Sequence, residues 1–186
     1  MRETLITGSV HGTHDHGGER DRRDQRDRRR AREFEAYVAG AGGRLLHAAA
    51  LLTGEPPGHA PEAEQLLVTA LARTYAGWHG LRGEDPYDHS RQELVLLYHN
   101  TGWRYRRSRG GLLGPLSPQE RLVVVLRLHE GIAEQQVAAL LGLPLERVHA
   151  LCLRGMATVL STPRTPEPPD HPWWHPRRRP RQPVAP

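Results

Sequence analysis

Lysine is absent from this chain: all 26 basic side chains are arginine, and phenylalanine and cysteine each occur once in 186 residues. A single cysteine, Cys152, excludes an internal disulfide and fits a reducing compartment. No apolar run approaches the ~20 residues of a membrane-spanning helix, and the N-terminus lacks the apolar segment of a signal peptide. No nucleophile–base pair, paired-carboxylate site or metal cluster has convincing spacing. Gly40 to Gly43 lie in a helical pattern, without the strand–loop–helix context and lysine of a phosphate-binding loop. These absences argue against an enzyme, a bound metal and a cofactor. His11, His14 and His16 have no cage of cysteines or carboxylates around them and read as a solvated tail.

Apolar residues are concentrated between Phe34 and Leu160, while both ends are polar. The many Ala and Leu and the scarcity of Phe point to a helical core with modest burial. Arginine without lysine, with abundant Ala, Gly and Pro, suggests a GC-rich genome. The formal charge of +5 and pI near 10.1 favour a polyanionic partner, although much of the excess lies in the tails.

The stretch from Ser117 to Leu160 carries the clearest punctuation. Ser117-Pro118-Gln119-Glu120 is a capping box with proline at the first helical position. An apolar run from Leu122 to Leu126, then Leu128, stops at Gly131, a candidate left-handed terminator. Ala133 to Leu141 forms a short helix, Gly142-Leu143-Pro144 breaks it, and a last helix runs from Leu145 to about Leu160. Leu145, Val148, Cys152, Met156 and Val159 form its expected inward stripe. Helix, glycine turn, helix is the DNA-binding arrangement whose second helix enters the major groove; a hairpin packed only for stability is the alternative. The outward face carries Glu146, Arg147, His149, Ala150, Leu153 and Arg154.

Upstream, Phe34, Val38, Ala41, Leu45, Ala48 and Leu52 mark one helix face that ends near Thr53-Gly54. A second helix covers about Glu62 to Trp78, with Leu67, Ala70, Leu71, Thr74 and Trp78 inward. Asp85-Pro86 caps a third, with Leu94, Leu97, Tyr98 and Trp103 inward. Trp103-Arg104-Tyr105-Arg106-Arg107-Ser108-Arg109 then interleaves aromatics with arginines. That pattern suits single-stranded DNA, with rings stacking on bases and guanidiniums on phosphates. It equally suits a helix end whose cations complement the dipole, with Trp103 packed inside. The expected organisation is all-α: a disordered/charged segment over 1–32, a helical domain over 33–109, a linker over 110–116, a helix-turn-helix domain over 117–161, and a Pro/Arg-rich disordered tail over 162–186. Over 19–32, the mixing of Arg with Asp and Glu either extends the next helix backwards through i,i+4 pairs or stays disordered.

Leu116-Ser117-Pro118-Gln119-Glu120-Arg121, Gly131, Val137-Ala138-Ala139-Leu140-Leu141-Gly142 and Arg154-Gly155-Met156-Ala157 resemble region 4 of the extracytoplasmic-function (ECF) group of sigma-70 family sigma factors. Leu51-Leu52-Thr53-Gly54 and Ala70-Leu71-Ala72-Arg73-Thr74-Tyr75…Trp78 resemble region 2 of the same group. The resemblance implies a three-helix region 2 that grips core RNA polymerase and opens the promoter −10 element, and a region 4 that recognises the −35 element. It further implies core contacts at Gln65, Val68 and Thr69. Promoter DNA would be held by Arg147, His149, Ala150, Leu153 and Arg154 in region 4, and by Trp103, Arg104, Tyr105, Arg106, Arg107 and Arg109 in region 2. Core polymerase, promoter DNA and an anti-sigma factor or other regulator are the implied partners, without a membrane, and the cytoplasm is the implied location.

Gln65-Leu66-Leu67-Val68-Thr69 replaces the family's acidic and amide stretch, so a weaker core grip is expected. Fully extended, residues 110–116 reach roughly 25 Å. The two promoter elements lie about 17 base pairs apart, roughly 58 Å at 3.4 Å per pair. Two other readings stay open: a sigma-derived interaction protein that has lost promoter recognition, and a helix-turn-helix regulator independent of polymerase.

Overall fold

The computed structural model describes residues 15–162, apart from Pro57, Arg82 and Ser108. The described residues hold six α-helices: α1 Asp15–Thr53, α2 Pro61–Gly77, α3 Pro86–Thr101, α4 Pro118–Val124, α5 Glu134–Leu141 and α6 Leu145–Ser161. No strand occurs among them, as an all-α composition requires. Short 3₁₀ turns follow α2 and α3, and a π-wound turn, Val125–His129, continues α4.

Helix α1 begins well before its apolar face does. Residues 15–32 are helical, and over 19–32 this is the backward extension that the mixed charges allow as one of two readings. Exposed pairs one turn apart support the extension, Arg29 to Glu33 at 2.7 Å and Arg23 to Glu19 at 3.9 Å. The anchor comes at Arg30, whose guanidinium lies 4.0 Å from the Tyr75 ring centroid and donates to the Tyr75 carbonyl. Phe34 packs beside it, 4.9 Å from Tyr75 and 5.1 Å edge-on to Trp78. Gly40, Gly42 and Gly43 leave the helix unbroken. Tertiary packing outweighs their propensity cost of about 1 kcal/mol each.

Leu45, Ala48, Ala49 and Leu52 of α1 meet Ala63, Leu66, Leu67 and Ala70 of α2 and Leu94, Val95 and Tyr98 of α3 in a three-helix bundle. Glu55 is buried and accepts from Thr53 Oγ1 at 2.9 Å and from the N–H groups of Ala63 (2.9 Å) and Glu62 (3.2 Å). It stands in for the side-chain cap that Ala60 cannot provide to α2. Asp85 caps α3 by accepting from the Tyr87 N–H at 2.9 Å.

The C-terminal unit follows the expected punctuation. Ser117 accepts from the Glu120 N–H at 3.3 Å while Glu120 accepts from the Ser117 N–H at 3.0 Å. Gly131 and Gly142 are both left-handed, with φ of 70° and 62°. The buried stripe of α6 differs from the expected one. Val148, Leu151, Cys152 and Gly155 face the core, whereas Leu145 and Met156 are 39% and 37% exposed. Gly155 sets that rotation, because a Cβ there would stand 2.6 Å from Val124 Cγ2.

Residues 110–116 are not a free tether. The Gly111 N–H donates to the Gly54 carbonyl at 3.0 Å, and a Cβ on Gly111 would lie 2.4 Å from the Glu55 carbonyl oxygen. Leu113 and Leu116 are buried, and one continuous core joins the three-helix bundle to α4–α6. The two helical units meet across a packed seam.

Candidate nucleic-acid interface

Helix α6 presents Arg147, His149, Ala150, Leu153 and Arg154 to solvent, all on the side opposite Val148, Leu151 and Cys152. The Gly142-Leu143-Pro144 turn sets α6 at 109° to α5, the steep crossing of a helix-turn-helix. Two of the polar residues on this face have acidic neighbours within the unit. Arg154 Nε is 3.7 Å from Glu120, and His149 Nδ1 is 3.2 Å from Glu134. Arg147 has no ion-pair partner among the described residues. Leu153 is 53% exposed in the middle of the face.

The arginine–aromatic stretch after α3 divides into parts with different tasks. Trp103 is 67% exposed, which excludes the packed-inside alternative. Arg106 lines a cleft of about 320 Å3 with Trp103, His99 and the Ser117–Gln119 start of α4. Tyr105 departs from the expected DNA-facing role. It is 3% exposed and stacked on Tyr98 with ring centroids 5.4 Å apart, so its faces are not available to bases. Burial raises the hydroxyl pKa of both tyrosines above the ordinary value. Arg109 also departs: it lies 3.5 Å from Glu62 and 3.6 Å from Glu55, and closes the loop before α2. Arg104 and Arg107 are exposed, Arg104 in a separate small cleft with Gln65 and Thr69. Ser108 lies outside the described residues.

Gln65, Val68 and Thr69 form one exposed strip on α2, with Val68 65% exposed. The Thr69 hydroxyl donates back to the Gln65 carbonyl at 2.9 Å, so it is partly occupied within the helix. His11, His14 and the Trp173-Trp174 and Arg177-Arg178-Arg179 clusters lie outside the described residues; His16 falls in the first turn of α1.

Sequence reasoning did not identify Arg121, Glu130 or Glu55 as organising residues. Arg121 is fully buried and donates to three carbonyls: Leu52 at 3.1 Å, Leu116 at 3.1 Å and Gly114 at 3.4 Å. Burial lowers its pKa from the ordinary arginine value. The Glu130 side chain is 1% exposed, and accepts from Tyr87 of α3 at 3.0 Å and from Arg44 of α1 at 3.2 Å. These long-range pairs leave no periodic trace in sequence.

Such a helix-turn-helix, docked on a three-helix bundle, defines an all-helical DNA-binding class, and comparison with known proteins narrows it. Residues 112–159 match the family model "Sigma-70, region 4". The chain is 28% identical over 152 residues to an RNA polymerase sigma-E factor of Streptomyces avermitilis, covering 68% of this chain and 83% of that protein. It is equally similar to the Streptomyces coelicolor protein of that name, with 68% and 84% covered. The Streptomyces antibioticus counterpart is 29% identical over 132 residues, with 56% and 73% covered. No solved structure matches. The region 4 match and the sigma-E similarities support an ECF-type member of the sigma-70 family.

Proposed function

We propose that this chain acts as an RNA polymerase sigma factor: it binds core polymerase through α2, reads promoter −35 DNA through α6, and opens the −10 element beside Trp103. The observation that carries the reading is the outward face of α6. Its side chains are exposed while the opposite stripe packs the helix against α4 and α5. Arginine's planar fork suits both phosphate and guanine edges, and Arg147 is the cation placed to use it. An exposed indole at Trp103 with Arg106 beside it supplies a base-stacking surface with a phosphate contact. The role is one of binding rather than catalysis, and it is exercised in the cytoplasm, where template and polymerase are found.

Exposed Gln65, Val68 and Thr69 support α2 as the core contact, with a grip weaker than an acidic strip would give. The packed seam bears on promoter geometry. Elements roughly 58 Å apart are more readily engaged together once the α4–α6 unit leaves the bundle, so core binding is expected to part the two. An interaction protein without promoter recognition is the second reading; it is favoured by Leu153 at the centre of the recognition face.

The test is pull-down of core polymerase by the purified chain, followed by run-off transcription from a cognate promoter. Capture with promoter-dependent transcript supports the sigma reading. Capture without transcript supports the interaction protein, and no capture with retained DNA binding supports a polymerase-independent regulator.

A further inference from the structure

The seam opens on a cavity of about 340 Å3 whose walls come from both helical units: Leu51 of α1, Leu113, Val125 and Leu128, and Met156 and Leu160 of α6. Among the described residues, His129 is its one polar wall. On the rim, Leu112, Leu128 and Leu160 are 59%, 58% and 81% exposed. Singly scattered leucines on a surface are ordinary, but several around one apolar cavity mark a place that something covers.

The direction of the chain indicates what covers it. Helix α6 ends at Ser161, one residue after Leu160, so the following segment starts at the mouth of the groove. In residues 163–186 the large apolar side chains are Trp173, Trp174 and Val184, set among proline, arginine and acidic residues. Trp173 lies eleven positions beyond Thr162. A proline-rich segment of that length spans up to ~34 Å at 3.1 Å per residue, enough to turn back over a groove that begins where the helix stops. Proline restricts the backbone beforehand, so docking loses little further freedom. Tethering gives an effective concentration on the order of mM, so even a weak intrinsic contact is occupied. Indole brings more apolar area than other side chains, and Met156 in the wall offers a sulfur–aromatic contact.

We propose that the Trp173-Trp174 segment of this same chain occupies the seam groove and fastens α6 to α1. The groove draws walls from both units, so the docked segment would contact both.

The experiment uses the full chain labelled with 5-fluorotryptophan and read by fluorine NMR, with Trp173→Ala and Trp174→Ala assigning the tail resonances. Trp78 and Trp103 act as internal references. The expected result is that at least one tail resonance is shifted away from its position in the free 163–186 peptide and protected from iodide. In Leu128→Asp it should move to the free position and lose that protection. Leu112→Asp, at a second exposed rim position, should do the same, while the Trp78 resonance reports that the bundle is intact. Tail resonances at the free position in the unmodified chain overturn the proposal and leave the groove to an outside partner. A shift that Leu128→Asp and Leu112→Asp leave in place also overturns it, as does one that depends on protein concentration, which would mean a second copy.

Discussion

The Arg121 guanidinium donates to the main-chain carbonyl of Leu52 at 3.1 Å, across 69 positions of sequence and with the arginine fully buried. It joins the end of α1 to the start of α4, and with it the two helical units. No carboxylate pairs with this charge among the described residues; carbonyl dipoles and the nearby Tyr98 hydroxyl receive it. A buried charge satisfied in this way is intolerant of change at either partner.

Arg121→Met is expected to destabilise the chain by about 3 kcal/mol. The substitution keeps an unbranched apolar stem but strands the carbonyls of Leu52, Gly114 and Leu116, each at about 1–3 kcal/mol in full burial. Urea unfolding of the two proteins measures it. A loss below about 1 kcal/mol would mean that water replaces the guanidinium and that the seam does not depend on it.

Gly111→Ala should open the same seam from the other side. The new Cβ would fall 2.4 Å from the Glu55 carbonyl oxygen, a backbone atom that cannot swing away. Hydrogen exchange is expected to rise at the Gly111 N–H and in residues 112–116 while α3 keeps its protection. Unchanged exchange across residues 110–116 would count against a tightly docked connection.

Trp103 and Tyr105 should separate cleanly on mutation. Trp103→Ala is expected to weaken single-stranded DNA binding by about 1–3 kcal/mol with little change in stability, since the ring faces solvent. Tyr105→Ala should instead destabilise the fold by about 3 kcal/mol, the scale for truncating a buried aromatic. Anisotropy titration and thermal unfolding of both variants decide it. A Tyr105 variant that is stable yet defective on DNA would reverse the assignment.

On α6, Arg147→Ala should weaken binding to promoter DNA by about 1–3 kcal/mol. If the contact is to phosphate, the slope of log affinity against log salt should fall by about one unit. Arg154→Ala is expected to have the smaller effect, because Glu120 already lies 3.7 Å from its Nε. Equal affinity of wild type and Arg147→Ala on every promoter the protein uses would favour the interaction-protein reading.

His129 gives a stability that depends on pH. Burial is the main cause holding its pKa below the ordinary 6.5; His47 and Arg44 act in the same direction and Glu130 opposes them. The unfolded chain therefore binds this proton more readily than the folded one. Stability from neutral His129 is complete above about 6.5 and is lost as pH falls through the folded value. His129→Gln should flatten the decline in stability on acidification below that point. Parallel stability profiles for the two proteins would place the pH dependence elsewhere.

The helix-turn-helix was legible because its signals are local. The Ser117 capping box, the left-handed glycines and the spacing of Val148 and Cys152 each act within a few residues, where backbone sterics and helical period decide the outcome. The outward face of α6 followed from the same period, whereas the α2 strip came from the resemblance. The rotation of α6 was legible only in part: Gly155 reads as a weak helix former in sequence, and only its contact with Val124 shows that it faces the core. Tyr105 and Arg109 sit in a run whose composition suits DNA. Their neighbours Tyr98, Glu55 and Glu62 come from distant positions and withdraw them from it.

By itself, the sequence determined the apolar helix faces, the caps at Asp85 and Ser117 and the outward face of α6, since these follow from periodicity and from capping within single turns. Tertiary structure alone decided that residues 110–116 pack instead of swinging free and that Arg121 and Glu130 bridge the units. Those outcomes depend on burial and pairing across tens of residues, and desolvated groups take whichever partner the fold brings to them.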